Sequence, residues 1–195
     1  MHERTRIMME ATIFAALSLL LSMVPTNIGS SLTVSLGMIP LTIFALRRGL
    51  KAGLIAAFIW GILHFPMGNV FFLSVPQVLI EYPIAFTFAG FAGLFSDSLK
   101  QALIAGDSRG VTRSVILGSF AGSFARFFWH FVAGVVFWGS YAVWGMGPVL
   151  FSFVTNGINF IATGAVTSIV IVIIAKKTPQ LFLPKSAAKL EKTTN

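Results

Sequence analysis

Long apolar stretches dominate the sequence and most constrain its fold. A helix that crosses a membrane needs about 20 mostly apolar residues, so a chain of 195 residues with a mean hydropathy of +0.87 has room for one helical bundle. We therefore predict an all-α, polytopic membrane protein, a bundle of six transmembrane helices, of which the second is too short to span alone. Apolar segments bounded by turn residues fall at 7–24, 38–46, 52–65, 70–96, 114–139 and 148–175.

Basic residues lie on alternate connections between these segments. The connections at about 25–37, 66–75 and 140–147 contain no lysine or arginine. The positive-inside rule then predicts that the basic connections and both termini are cytoplasmic. The net charge of +8 is thus a topology signal, and we do not expect nucleic-acid binding. We divide the chain into one six-helix transmembrane domain, residues 1–178, and a basic cytoplasmic tail, residues 179–195.

Several classes of chemistry are excluded by missing residues. The chain has no cysteine, which excludes disulfides, thiolate metal sites and cysteine nucleophiles. It also lacks the H-E-x-x-H, G-x-S-x-G and G-x-x-x-x-G-K-[ST] motifs of metalloproteases, serine hydrolases and phosphate-binding loops. We predict that the protein is not an enzyme and has no catalytic residue, metal or cofactor.

Two ionisable residues are not explained by topology. Thirteen of the fourteen basic residues flank the apolar segments, and Arg126 is the exception. Glu81 is the acid placed among apolar residues, in "SVPQVLIEYPIAF". Such a charge costs roughly 2.5 kcal/mol or more at the bilayer centre, so it indicates function. Glu81 is our first candidate for a ligand contact; the alternative is an internal Glu81–Arg126 ion pair between two helices.

The segment "ARFFWHFVAGVVFWGSYA" carries polar and aromatic residues at helical spacing. Arg126, His130, Gly134 and Trp138 recur every four residues and predict one stripe on a helix face. Gly134 would leave a slot between the histidine and the tryptophan, where a flat cationic ring could gain from the indole by cation–π attraction. The alternative for Trp138 is a place in the interfacial aromatic belt.

Small and polar residues on the first and last segments supply further candidates. Asn156, in "FSFVTNGINF", should lie level with Glu81 and can be a ligand contact or an interhelical hydrogen-bond partner. Ala11 and Ala15 are four residues apart on the first helix. Small residues at this spacing let another helix approach closely, so they are candidates for partner docking, with packing inside the bundle as the alternative.

These residues resemble the substrate-binding S components of energy-coupling factor (ECF) vitamin transporters, specifically the thiamine-binding ones. The resemblance covers nearly the whole chain. It implies a six-helix bundle in the plasma membrane of a prokaryote, a lid formed by about 26–37, and partners that comprise a membrane coupling subunit and two ATPases. It rests on the segments "LGMIPLTIFALRRGLKAGLIAAFIWGILH", "QVLIEYPIAFTFAGFAGLFS", "ARFFWHFVAGVVFWGSYA" and "FSFVTNGINF".

The resemblance also implies roles for individual residues. Glu81 would face the cationic, amine-bearing ligand, His130 and Trp138 would sandwich a ring, and Asn156 would hydrogen-bond the aminopyrimidine edge. The pattern departs from the family at Ser31, Phe71 and Phe151, where an indole and two hydroxyls are missing. The implied substrate-binding set is Glu81, Tyr82, His130, Gly134, Trp138, Phe151, Asn156 and the lid residue Ser31.

Two other functions remain open from the sequence. The departures leave room for another heterocycle, such as a thiamine precursor, as the ligand of an S component. In a different class, the chain could be a solitary proton-coupled carrier in which Glu81 and His130 relay a proton. An intramembrane hydrolase is disfavoured, because no second intramembrane carboxylate completes a catalytic pair with Glu81.

Overall fold

Six helices and one short ribbon form the structure, a computed structural model that describes residues 3–28 and 32–183. The ribbon joins β1 (Asn27–Ile28) to β2 (Leu32–Thr33), antiparallel, between the first two helices. Within the described residues, the predicted number of helices is confirmed. The helices are α1 (Glu3–Ser22), α2 (Met38–Arg48), α3 (Leu50–Leu63), α4 (Val75–Ile104), α5 (Ser108–Val136) and α6 (Pro148–Lys177).

Four of these helices are long and apolar enough to cross a membrane, namely α1, α4, α5 and α6. Helices α2 and α3 have 11 and 14 residues, so at about 1.5 Å per residue each covers only part of a hydrocarbon core of roughly 30 Å. The prediction that the second segment is too short to span alone is confirmed. A tight turn at Gly49, with a φ of 85°, joins α2 to α3.

Helix α4 changes its geometry along its length. It contains a π-helical turn at Ile80–Ile84 and a 3-10 segment at Ala89–Phe95. Pro83 lies inside the π-helical turn and has no backbone N–H to donate to the helical ladder. Pro76 lies in the first turn of the helix, where proline fits without disturbing it. Helix α4 is therefore irregular at Pro83 and regular at Pro76.

The ends of the bundle have different interiors. One core cluster contains Trp60, Tyr82 and Phe86 and is packed by alanines of α1 and α3. The other contains Leu46, Leu99, Ile171 and Phe182 and lies near the basic connections. Phe182 is fully buried. The packed body therefore continues into the segment that the sequence predicts as a tail, which begins at residue 179.

A charged cluster fixes α1 to the α2–α3 turn. The Glu10 carboxylate accepts hydrogen bonds from Arg47 at 3.3 Å and from Arg48 at 2.6 and 2.7 Å. Arg47 also donates to the Leu181 carbonyl at 2.5 Å. These basic residues are therefore structural as well as topological.

Candidate functional site

Two adjoining cavities lie at the end of the bundle that carries the α3–α4 and α5–α6 connections. The larger measures about 650 Å³ and the other about 470 Å³. Glu81, His130 and Trp138 line both of them. Tyr82 lines the larger cavity, whereas Gly134, Phe151 and Asn156 line the other. The structure therefore brings seven of the eight substrate-binding candidates together; the eighth, Ser31, lies outside the described residues.

Glu81 projects from the π-helical turn and is held by neutral donors. Trp138 donates its indole N–H to Glu81 Oε1 at 2.6 Å, and the Gln77 side-chain amide donates to Glu81 Oε2. Gln77 is itself fully buried, and its amide is fixed by the backbone of Phe71 and Leu73. Among the described residues, no ion pair joins Glu81 to a basic side chain. The hypothesis of a Glu81–Arg126 pin between helices is not supported.

Arg126 is held by hydrogen bonds and aromatic faces instead. Its Nη1 donates to Ser35 Oγ at 2.8 Å, and its Nε donates to His130 Nε2 at 3.2 Å. The guanidinium carbon lies 4.1 Å from the ring centre of Phe86 and 5.2 Å from that of Trp60, within the range of cation–π attraction. Because His130 Nε2 accepts a hydrogen bond, the geometry assigns the ring proton to Nδ1.

The predicted stripe on α5 is correct for its first three residues and wrong for the fourth. Helix α5 ends at Val136 with Phe137 as its C-cap, so Trp138 lies in the connection beyond the helix. Trp138 still reaches the site, because that connection turns it towards Glu81. The aromatic-belt alternative fits Trp144 better, since its side chain is 61% exposed.

The predicted slot at Gly134 is filled by α6. A Cβ built on Gly134 would overlap Ser152 and approach Asn156. Ser152 donates to the Phe131 carbonyl at 2.9 Å, and Asn156 Nδ2 donates to the Ser152 carbonyl at 3.0 Å. Gly134 therefore lets α5 and α6 approach closely and brings Asn156 to the cavity wall.

Tyr82 and the connection after α3 close one side of the larger cavity. Tyr82 is buried, stacks on Phe86 and accepts a hydrogen bond on its hydroxyl from the Phe71 N–H at 2.9 Å. Phe71 in turn places its ring edge-on to Trp138. The α3–α4 connection is thus held by the Phe71 backbone against Tyr82 and by the Phe71 ring against Trp138.

Several residues that shape the site are not in the substrate-binding set predicted from the sequence. Gln77 positions Glu81 from one turn earlier in α4, and its spacing of four was a signal that could have found it. His64 caps α3, bonds to the Trp60 carbonyl at 2.9 Å and also lines the larger cavity. Ser35 and Ser152, which hold Arg126 and Asn156, gave no signal because isolated serines are common in membrane helices and loops.

Ala11 and Ala15 do not face outward. Both are buried in the core between α1 and α3, so the packing alternative describes them and they cannot present a face to another protein. The small residues on the exposed side of α1 are Thr12 and Ala16. Docking of a partner through Ala11 and Ala15 is therefore not supported by the structure.

A helical membrane bundle with polar cavities at one end defines a membrane protein that binds or transports a small molecule. No cluster of three or more potential metal ligands occurs in the part of the chain that the structure describes. Residues 8–183 match the family described as "Thiamine transporter protein", and the chain belongs to this family. The resemblance noted from the sequence is thereby confirmed.

Similar proteins are bacterial. The thiamine transporter ThiT of Lacticaseibacillus paracasei is 35% identical over 94% of both chains, and ThiT of Bacillus subtilis is 30% identical over 76% of this chain and 78% of its own. A solved structure of ThiT from Listeria monocytogenes is 44% identical, covers 94% of this chain and all of its own, and superposes with a TM-score of 0.92. These matches confirm a multi-pass plasma-membrane protein that is a transporter and not an enzyme.

Proposed function

We propose that the chain captures thiamine in the two cavities and delivers it as the S component of an ECF transporter. The observation that carries the proposal is the Glu81 carboxylate, which lines both cavities and is held by two neutral donors, without a basic partner among the described residues. Neutral donors leave the negative charge of a carboxylate at membrane depth without a compensating positive charge. A cationic, amine-bearing ligand supplies it.

The remaining residues fit a ligand with two flat rings. His130 and Trp138 line both cavities beside Glu81 and supply the ring contacts. Asn156 uses its amide N–H groups on Ser152, which leaves its carbonyl oxygen to accept from an aminopyrimidine. Phe151 contributes an apolar wall without a hydroxyl. The thiamine transporters to which this chain is similar support thiamine as the ligand over another heterocycle.

The proton-relay alternative needs Glu81 and His130 to share a hydrogen-bonded path. In the structure Glu81 bonds to Trp138 and Gln77, whereas His130 bonds to Arg126. This arrangement favours a binding subunit over a proton-coupled carrier.

The coupling subunit would dock on the exposed face of α1 that carries Thr12 and Ala16, and two ATPases would drive delivery. Thiamine uptake into proteoliposomes by this chain alone would contradict this dependence on partners.

Glu81→Gln tests the binding proposal. We expect thiamine affinity, measured by calorimetry on the purified protein, to fall at least about tenfold, or about 1.4 kcal/mol, because the amide keeps the shape but not the charge. Asp97→Asn is the matched control, since its side chain is 89% exposed on the cytoplasmic side. Unchanged affinity in a folded Glu81→Gln protein would refute the counter-ion role.

A further inference from the structure

A third, smaller cavity of about 140 Å³ lies between α5, α6 and the start of α2. At ~30 Å³ per water molecule it has room for roughly four waters, so it can hold a compact ion but not a thiamine ring system. Its polar wall includes Ser35, Ser123, Arg126 and Thr163, and none of its described lining residues is acidic. Glu81 does not line it.

Arg126 forms no direct ion pair with an acidic side chain in the described part of the chain. The ion pairs of the described residues use Glu3, Glu10 and Asp97, and Asp107 caps α5. Arg126 Nη1 and Nε have neutral partners, and Nη2 has no acceptor among residues 3–28 and 32–183. A guanidinium keeps its positive charge at every physiological pH, so a small anion beside Arg126 would form charge-assisted hydrogen bonds with it.

The hydroxyl groups of the small cavity have protons left to donate. Ser35 Oγ accepts from Arg126, and Thr163 Oγ1 accepts from the Ser35 N–H at 3.1 Å. Each of these bonds occupies an oxygen lone pair and leaves the hydroxyl proton. Ser123 is 4% exposed, and its hydroxyl has no partner in the structure. Three hydroxyls and a guanidinium are therefore available as donors in the wall of one small cavity, which shares His130 with both ligand cavities.

We propose that this cavity is an anion site for a halide or a phosphate group, coupled to cation binding at Glu81. The coupling rests on the proposed function. Before ligand arrives, Glu81 and Arg126 face the same larger cavity and offset each other's charge across it. A cationic ligand neutralises Glu81 and leaves Arg126 unbalanced, so an anion in the small cavity stabilises the occupied state.

The first experiment locates the anion directly. Crystals of the wild-type protein with thiamine are grown in bromide, and anomalous diffraction is collected at the bromine edge. We expect a bromide peak within hydrogen-bond distance of Arg126 and Ser123. Because no substitution is involved, the test does not depend on a variant that folds. A cavity that contains only water, in crystals where thiamine is bound, would overturn the proposal and leave the proposed function intact.

The second experiment measures the coupling. Thiamine affinity is compared in chloride and in gluconate at equal ionic strength, since gluconate is too large for the cavity. We expect binding to be about fivefold tighter or more in chloride, the lower end of couplings between linked sites. Arg126→Gln should remove the difference and the cytoplasmic Arg113→Gln should keep it. Equal affinity in both salts would overturn the coupling, whereas no thiamine binding in either salt would refute the proposed function instead.

A third arm identifies the source of the anion, with thiamine monophosphate as the probe. If the ester phosphate occupies the site, thiamine monophosphate should bind with equal affinity in chloride and in gluconate. Arg126→Gln should then weaken binding of the ester in both salts, whereas it should weaken binding of thiamine only in chloride. If the anion is inorganic, the ester should retain the chloride dependence of thiamine. Indifference of both ligands to salt and to Arg126→Gln would overturn the site.

Discussion

At the scale of single residues, Trp138 contributes to the site in two separable ways. Its indole N–H fixes Glu81 Oε1 at 2.6 Å, and its ring face is available to a cationic ligand in both cavities. Hydrogen bonds to charged groups contribute about 1.5–3 kcal/mol. Cation–π contacts add roughly 0.5–1 kcal/mol at exposed sites and more when water is excluded. Trp138 therefore positions the carboxylate, and in the proposed function its ring also faces the ligand.

Replacing Trp138 removes its fluorescence and leaves only that of the other three tryptophans, which shows how much of the quenching belongs to Trp138. Of the four tryptophans, Trp138 alone lines the two larger cavities in the described structure. Trp138→Phe should abolish quenching by thiamine and weaken binding less than Trp138→Ala, because phenylalanine keeps a weaker ring face. Titration of intrinsic fluorescence measures both effects. Trp144→Phe is the control, and loss of quenching in that variant instead would remove Trp138 from the site.

The ionisable residues of the site could be predicted from the sequence, but the residues that hold them in place could not. Glu81 and Arg126 are conspicuous in an apolar sequence because a charge in lipid is costly. Ser35 and Ser152 are polar residues without charge, and their importance depends on contacts between distant segments. A sequence pattern does not contain those contacts, so it identified the ionisable residues and missed the ones that hold them.

At the scale of helices, the close contact between α5 and α6 depends on Gly134. A Cβ there would meet Ser152 of the facing helix. Ser152 and Asn156 both belong to the wall of the second cavity. The separation of these two helices therefore sets the position of Asn156 relative to His130 and Trp138.

Gly134→Ala should separate α5 from α6 and destabilise the protein. We expect a loss of about 1–3 kcal/mol, the usual cost of overpacking, visible as a lower melting temperature in detergent together with weaker thiamine binding. Gly157→Ala on α6 is the matched control, since a Cβ there meets nothing within 4 Å. Adding Ser152→Gly to Gly134→Ala should recover part of the stability; no recovery would show that the contact is not the cause.

The sequence predicted which segments form helices better than it predicted where those helices end or bend. Long apolar segments located the helices, but the end of α5 at Val136 and the π-helical turn of α4 were not visible in the pattern, because tertiary contacts decide helix ends and kinks. The burial of Ala11 and Ala15 was undecidable for a related reason. Helix α1 is apolar on all sides, so its periodicity does not distinguish the lipid face from the packed face.

At the scale of the whole molecule, the basic residues and the cavities beside Glu81 lie at opposite ends of the bundle. One end carries the Glu10–Arg47–Arg48 cluster and the basic residues that flank the α4–α5 connection, Lys100, Arg109 and Arg113. The two cavities that Glu81 lines open among connections that contain no lysine or arginine. The positive-inside rule then predicts that the cavities face the outside of the cell, the side from which an uptake protein must receive its ligand.

The absence of cysteine makes this orientation measurable in a chain with no background labelling. Single substitutions Asn69→Cys and Gly147→Cys lie in the two connections beside the cavities, and Ala105→Cys lies in the α4–α5 connection, all three at exposed positions. A membrane-impermeant maleimide should label the first two in intact cells and Ala105→Cys only after permeabilisation. The parent chain controls for nonspecific reaction. The reverse pattern would place the Glu81 cavities on the cytoplasmic side, where an open site would receive thiamine already inside the cell, and capture from outside would be refuted.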